Sequence, residues 1–304
     1  MNYEIKALTV PSSDKIHQLQ GKIFIPTGEI KGLFHIVHGM TEYIDRYDHL
    51  LAFLAENGYV AFGFDNLGHG KTAKDEKELG FIAHKNGWKY LVHDCFAFSN
   101  AVKQLYPDKD IILMGHSMGS FIARLTAEYK PQFYKKLIIC GTSGANPLSK
   151  IGLAFAKFKR LINGEKHISK TILNLAFGAY NKRFSGETQY EWLTKDREII
   201  NKYISDPFCT FKFTISAMID LMTLLDACNN KKWYNGINKT MPILLISGEE
   251  DPVGNYGKGV TEVYNKLTET GANTTIKLYK NCRHEIHNDS CKDEMFNDIL
   301  AFLN

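Results

Sequence analysis

Several features that mark membrane and nucleic-acid-binding proteins are missing from this sequence. Its 304 residues contain no run of 18 apolar residues, which excludes a membrane-spanning helix. The net charge is only +4, from 37 Lys+Arg and 33 Asp+Glu, and no basic arm is present, which argues against a nucleic-acid-binding protein. The N-terminus lacks a basic stretch followed by an apolar one, so no secretory signal is indicated. We therefore expect a cytoplasmic protein.

Paired cysteines are also missing, and proline is scarce. The chain has 8 prolines, 24 glycines and 44% hydrophobic residues, which indicates an ordinary globular protein and not a disordered or collagen-like one. Its six cysteines form no CxxC pair, so neither a disulfide framework nor a zinc site is indicated. We expect six free buried thiols, no metal and no other cofactor. The cysteines are Cys95, Cys140, Cys209, Cys228, Cys282 and Cys291.

Short apolar segments alternate with amphipathic ones along most of the chain. Strands are predicted at residues 3–10, 18–25, 32–37, 59–64, 111–114, 136–140, 242–247 and 274–279. Helices are predicted at residues 46–57, 88–106, 118–129, 259–270 and 292–303. The first two strands read as a hairpin at a sheet edge, and the other strands are almost wholly apolar. Such alternation predicts an α/β fold with a buried, mostly parallel sheet flanked by helices.

The alternation stops between residues 146 and 240, after the sixth predicted strand. This segment has helical stretches rich in Phe, Tyr, Leu and Lys but no clear buried strand. It holds 15 Lys+Arg against 8 Asp+Glu, a net charge of +7, which leaves −3 for the remainder. We expect a core of residues 1–145 and 241–304 with a helical insertion at 146–240.

A candidate nucleophile lies in Gly-His-Ser-Met-Gly, residues 115–119. The motif follows a predicted strand and precedes a predicted helix, which is the setting of a nucleophile elbow. Gly115 and Gly119 would let the chain turn sharply and expose the Ser117 hydroxyl above the sheet. A glycine-rich turn with a structural serine is the plainer alternative, but the flanking strand and helix favour Ser117 as a nucleophile.

An acid and a base follow Ser117 in the chain order Ser, Asp, His, which is the order found in proteins with a nucleophile elbow. A serine hydroxyl needs a base to accept its proton and a carboxylate to orient that base. Asp251 follows the strand at 242–247 and His284 follows the strand at 274–279, so both lie beyond carboxyl ends of parallel strands. Glu249 and Glu250 adjoin Asp251 and are rival acids. His287 is the rival base.

Two backbone amides are candidates for an oxyanion hole. One belongs to Met118, the residue after the nucleophile. The other belongs to Met40, in His38-Gly39-Met40 after the third strand. The Met40 and Met118 side chains could line an acyl site or merely pack in the interior.

Five motifs together resemble those of a known family. They are His38-Gly39-Met40 with Arg46-Tyr47, Asp65-Asn66-Leu67-Gly68-His69-Gly70, Gly115-His116-Ser117-Met118-Gly119, Ser247-Gly248-Glu249-Glu250-Asp251-Pro252-Val253 and His284-Glu285. In this order they are similar to the α/β-hydrolases of the monoacylglycerol lipase and lysophospholipase group, also called serine aminopeptidase-like hydrolases. The resemblance covers nearly the whole chain. It implies the α/β-hydrolase fold and a helical cap, or lid, at residues 146–240.

The resemblance also implies an ester hydrolase with a small lipid substrate, monoacylglycerol or lysophospholipid. A short-chain carboxylesterase, a thioesterase or an aminopeptidase is the alternative, and a non-catalytic binding protein is a more remote one. We expect His38, Gly39, Phe155, Phe158 and Phe177 to contact substrate, although apolar cap residues could instead form a small core of their own. The basic cap would make transient contact with a membrane or micelle surface, or its charge would merely keep an apolar lid soluble.

Overall fold

A computed structural model describes residues 2–304 and contains one eight-stranded sheet. The strands are β1 (Tyr3–Pro11), β2 (Gln18–Pro26), β3 (Gly32–Val37), β4 (Tyr59–Phe64), β5 (Ile111–His116), β6 (Lys136–Cys140), β7 (Ile243–Gly248) and β8 (Thr274–Tyr279). Their order is β1-β2-β4-β3-β5-β6-β7-β8. β1 and β2 pair antiparallel at one edge, β2 pairs antiparallel with β4, and all later neighbours are parallel. The predicted fold class is confirmed.

Helices cover both faces of this sheet. They are α1 (Asp48–Glu56), α2 (Gly87–Leu105), α3 (Met118–Tyr129), α4 (Ser149–Asn163), α5 (Lys170–Phe177), α6 (Arg197–Ser205), α7 (Ile215–Cys228), α8 (Lys231–Gly236), α9 (Lys258–Glu269) and α10 (Lys292–Leu303). Alternate residues of β3 enter different apolar clusters: Leu33 packs with α2 and α3, whereas Phe34 packs with α1 and α10. A strand covered on both faces needs apolar side chains at every position, which explains the unbroken apolar runs in the sequence.

The helical segment, residues 146–240, contains α4 to α8 between β6 and β7. Within it, α7 packs against α2 and α3, and α4 packs against α7. The end of the segment is therefore joined to one face of the sheet, while α4 lies further out with Leu161 and Ile151 exposed. Within residues 2–304, no helix combines the length and apolar character needed to cross a bilayer.

The loop after β8 contains a cysteine pair. Cys282 and Cys291 are joined in the structure, with Cα atoms 6.5 Å apart, because the chain folds back on itself over the eight intervening residues. The prediction of free thiols is wrong for these two, whose spacing gives no recognisable sequence signal. It is confirmed for the other four, which are free and buried. His284 lies between the two cysteines in the sequence, within the loop that they close.

Candidate active site

Ser117 stands at a strained turn between β5 and α3. Its backbone has φ 55° and ψ −122°, a conformation that a residue with a side chain adopts only at a cost of about 1–3 kcal/mol. Two glycines make the turn sterically possible. A Cβ at Gly115 would lie 2.1 Å from Gly119 O, and a Cβ at Gly119 would lie 2.1 Å from Val37 O. The strain is thus maintained by the close fit of β5, α3 and β3, and it holds Ser117 at the carboxyl end of the sheet.

His284 and Asp251 form a buried hydrogen-bonded pair. His284 Nδ1 lies 3.0 Å from Asp251 Oδ2. Because an ionised carboxylate can only accept, Nδ1 carries the proton and Nε2 is left as an acceptor. Burial opposes the charge on Asp251, but contact with His284 and hydrogen bonds from Val253 and Ser247 outweigh it and hold the pKa of this carboxyl below its usual range. An imidazole oriented in this way is suited to accept a proton.

His284 also lies close to the turn that carries Ser117. The His116 and His284 rings are 4.7 Å apart between centroids, and His116 Nε2 lies 3.2 Å from His284 O. Among residues 2–304, no hydrogen bond yet joins the Ser117 hydroxyl to the His284 ring, a contact that often tightens only when substrate binds. The three candidate residues therefore meet at one end of the sheet, as their positions after β5, β7 and β8 predict.

The structure separates the rival residues from this pair. Glu250 is 36% exposed in its side chain and pairs with Lys195 at 3.2 Å. His287 is fully buried and stacks on Tyr47 with ring centroids 4.5 Å apart. Neither ring nitrogen of His287 has a hydrogen-bond partner within the described chain, and burial lowers its pKa well below the usual value. Glu249 is exposed, and none of the three rivals forms a side-chain hydrogen bond with Asp251 or His284 in residues 2–304.

The two candidate oxyanion amides are available. Within residues 2–304, neither Met40 N–H nor Met118 N–H donates a hydrogen bond to another protein group. Met118 is the first residue of α3, where unpaired amides and the helix dipole favour a negative charge. A Cβ at Gly39 would lie 2.9 Å from Ser117 Cβ, so the loop before Met40 is in direct contact with the nucleophile. Thr41 follows with a positive φ of 53°, which turns the chain directly after Met40.

A buried charged network supports this loop, and the sequence analysis missed it. Glu42 accepts hydrogen bonds from Gly39 N–H at 2.5 Å and from Tyr47 Oη–H at 2.7 Å, and its other oxygen pairs with Arg46 at 2.9 Å. Burial alone would disfavour charge here. Contact with His116 and Arg46 nevertheless lowers the pKa of Glu42 well below its usual value, and contact with Glu42 raises that of His116. The sequence signal that could have shown it is the position of Glu42 four residues before Arg46, a spacing that favours an ion pair.

A cavity of about 480 Å³ opens beside these residues. Its wall includes Met40, His116 and His284 from the core and aromatic side chains from the helical segment. The aromatic and aliphatic residues among its lining are Leu173, Phe177, Tyr180, Tyr190, Trp192, Leu193, Tyr203 and Phe211. An apolar cavity with a few polar groups at one end is the usual form of a site for a small apolar ligand.

The substrate contacts expected from the sequence divide in the structure. Phe177 lines the cavity, and Gly39 contacts Ser117. Phe155 and Phe158 lie outside the cavity lining, which corrects their assignment: Phe155 packs on the main apolar cluster, and Phe158 is 58% exposed. Helical spacing shows that α4 has an apolar face but not which neighbour that face meets.

His38 is also corrected. Its ring is fully buried, with Nδ1 2.8 Å from Gly39 O and Nε2 accepting from Asn66 N–H at 2.9 Å. Both nitrogens are thus used within the protein, and burial lowers its pKa. His38 fixes the shape of the loop and offers no ring atom to substrate. The sequence analysis missed Tyr180 and Trp192, which lie in irregular chain without a periodic signal.

Comparison with known proteins decides the family. Residues 28–291 match the family described as serine aminopeptidase, S33. The chain belongs to this family. A carboxyl esterase from Bacillus coagulans, solved in complex with glycerol, is 31% identical with a TM-score of 0.93, covering 99% of this chain and 98% of that one. The monoglyceride lipases of Rattus norvegicus and Homo sapiens are 24% and 26% identical, each over 92% of this chain and 83% of theirs.

Membership of the S33 family agrees with the resemblance drawn from the five motifs. The α/β-hydrolase fold and the prediction of a serine hydrolase are confirmed. The relatives match nearly the full length of this chain, including the helical segment.

Proposed function

We propose that this S33 enzyme hydrolyses carboxylic esters through an acyl-enzyme. Ser117 Oγ attacks the ester carbonyl while His284 Nε2 takes its proton, and Asp251 keeps the imidazole in the required tautomer. His284 then gives that proton to the departing alcohol. In the second half, water loses a proton to His284 and attacks the acyl carbon. The bond to Ser117 Oγ then breaks, His284 returns the proton to Oγ, and the acid is released.

The Met40 and Met118 amides would bind the oxyanion in both halves. Each donor of this kind is worth about 3–4 kcal/mol of barrier lowering in a site that excludes water. The observation that carries the proposal is the 3.0 Å bond between His284 and Asp251, placed beside the strained Ser117 turn. The unpaired state of the two amides supports it.

We propose monoacylglycerol or lysophospholipid as the substrate, with residues 146–240 as a cap over the core formed by 1–145 and 241–304. The apolar cavity is lined from both parts, by Phe177 and Trp192 of the helical segment and by His284 and Met40 of the core. An acyl chain buried there would gain about 0.8 kcal/mol per CH₂ group.

A carboxylesterase without lipid preference is the second candidate, favoured by the 31% identity with the Bacillus coagulans esterase. The test is a panel of esters from acetate to decanoate, together with monoacylglycerol and a lysophospholipid, assayed on the pure protein and its Ser117→Ala variant. We expect kcat/KM to rise with chain length. Equal values along the panel would support the carboxylesterase, and hydrolysis that survives in the variant would exclude the mechanism.

We also propose that the helical segment touches a membrane or micelle surface through α4. Three of its apolar side chains, Ile151, Phe158 and Leu161, are 68%, 58% and 83% exposed. Lys157 lies among them and is also exposed. An amphipathic helix with apolar and basic side chains on its outer surface is suited to the interface of an anionic bilayer.

A further inference from the structure

The helical segment is bonded directly to the loop that carries His284. The His284 amide lies 3.3 Å from Trp192 O, and the Glu285 amide donates to Leu193 O at 2.7 Å. Both bonds join backbone to backbone, so they do not depend on side-chain rotamers. The part of the segment around Trp192 is therefore fixed to the loop of the candidate base by bonds that involve no residue of α4 or α5.

Arg283, the residue before His284, strengthens this contact. Its guanidinium donates to Glu191 O at 2.5 Å and to Thr194 O at 3.0 Å, and it lies 4.5 Å from the centre of the Phe184 ring. Its closest carboxylate oxygens, on Glu250 and Glu191, are 3.9 and 4.0 Å away. With only 14% of its side chain exposed, Arg283 binds main-chain carbonyls and an aromatic ring where a surface arginine would pair with an acid.

The chain held by Arg283 places Trp192 against His284. The two ring centroids are 5.1 Å apart at an interplanar angle of 39°. On another side the indole meets Tyr180, at 5.1 Å and 63°. Trp192 and His284 both line the cavity, so the indole packs on the imidazole beside the space proposed for the substrate.

We propose that Trp192 is a positioning residue for His284 and that Arg283 holds it in place. The proposal rests on the function proposed above, in which His284 is the base. The Asp251 bond fixes one ring atom of His284 but leaves the imidazole free to swing about it. The indole restricts that movement and shields the bond from water. Since a misplacement of about 1 Å can cost about 100-fold in rate, a modest displacement of the base should be measurable.

The test uses a probe without a long acyl chain, so that the base is observed apart from substrate binding. We would measure the rate at which a short-chain alkyl fluorophosphonate inactivates the enzyme, in Trp192→Ala, in Arg283→Met and in the double variant. Each single change should slow inactivation about tenfold. If Arg283 acts through Trp192, the double variant should be no slower than the slower single variant.

Matched controls separate this role from general packing. Arg197→Met removes an arginine that pairs with Glu191 but is 51% exposed, and Trp88→Phe changes an indole at the start of α2. Both should react at the wild-type rate. Trp192→Phe keeps an aromatic ring on His284 and should react within about twofold of wild type. This variant still tests the proposal if Trp192→Ala does not fold.

Fluorescence gives an independent signal, because an indole that leaves a packed position becomes more exposed to water and emits at longer wavelength. The emission of Trp192, obtained by subtracting that of Trp192→Phe, should move to longer wavelength in Arg283→Met. It should not move in Arg197→Met. The positioning role would be overturned if the two single changes slowed inactivation additively in the double variant. It would also be overturned if both single variants were inactivated at the wild-type rate and showed only a raised KM for long esters. A wild-type protein that the probe does not label at Ser117 would instead overturn the proposed function.

Discussion

The sheet and α4 of the helical segment place their apolar residues in opposite ways. In β3, β4, β5 and β7 every residue is buried. Of the 15 residues of α4 only Ala156 is buried, although this helix is strongly amphipathic. The buried apolar residues make the sheet rigid, and the rigid sheet holds Ser117, Asp251 and His284 in fixed relative positions. The segment keeps apolar surface open, where it can meet a ligand or a bilayer.

The largest effect should come from the rigid part. Ser117→Ala should lower kcat by about five to six orders of magnitude, because nucleophile, base and acid act as a unit. Stopped or continuous ester assays would measure it, with labelling by a fluorophosphonate as a second readout. Ser149→Ala, at the start of α4, is the matched control and should keep full activity. Substantial turnover in the Ser117 variant would refute an acyl-enzyme on this residue.

The next effect concerns the acid. Asp251→Asn should lower kcat by about 10⁴-fold while the protein stays folded, since an amide would favour the wrong tautomer of His284. Glu250→Gln is the control, because Glu250 pairs with Lys195 and not with His284. Should the Glu250 variant lose more activity than the Asp251 variant, the orienting acid has been assigned one residue too far along the chain.

The same contrast explains what the sequence could predict. Burial on both faces of the sheet gives unbroken apolar runs, and the sharp turn at Ser117 needs flanking glycines. Because both patterns are local, the sequence predicted the positions of the strands and the placement of Ser117, Asp251 and His284 after three of them. Trp192 acts through contacts with distant parts of the chain, and no spacing shows it. The four-residue spacing of Glu42 and Arg46 indicates their ion pair, but not the contact of Glu42 with His116. The assignments of Phe155 and Phe158 failed for this reason: periodicity identifies an apolar face of α4, but tertiary packing decides what that face meets.

The interior of the sheet should also be sensitive to acid. Burial lowers the pKa of His35 to about 3, so between pH 6.5 and 3 the unfolded chain binds a proton there that the folded chain does not. Stability should therefore fall as the pH drops below 6.5, by about 2 kcal/mol from this residue between pH 8 and pH 5. Urea titrations at both pH values would measure it. His35→Gln should lose that part of the pH dependence, whereas His84→Gln, which changes an exposed ring, should retain it. An unchanged pH dependence in His35→Gln would contradict the assignment.

Two phenylalanines of the segment test where its apolar surface is used. Phe177 lines the cavity, whereas Phe158 is exposed on α4. Phe177→Ala should lower kcat/KM about tenfold for octanoate esters and far less for acetate, because only the longer chain reaches the lost apolar surface. Phe158→Ala should leave both values unchanged with soluble monomeric esters. Equal losses for short and long esters in the Phe177 variant would mean that this ring supports the fold and not the acyl chain.

The smallest expected effect distinguishes the outer surface of α4 from that of the core. Residues 146–240 carry a net charge of +7, and Lys157 lies beside Phe158 on α4. Lys157→Gln should weaken binding to anionic vesicles about fivefold at low salt, since a basic residue near such a surface contributes about 1 kcal/mol. The effect should vanish at high salt, where the charges are screened.

Lys31→Gln removes the same charge from an exposed position in the core and is the matched control. Phe158→Ser should instead weaken binding to neutral and anionic vesicles alike, because it removes apolar area and no charge. Sedimentation of vesicles with and without anionic lipid, at low and high salt, separates the two contributions. If Lys31→Gln weakens binding as much as Lys157→Gln, the membrane is attracted by the net charge of the whole chain and α4 is not its docking surface. If no variant changes binding, the charge of the segment serves only to keep its exposed apolar residues in solution.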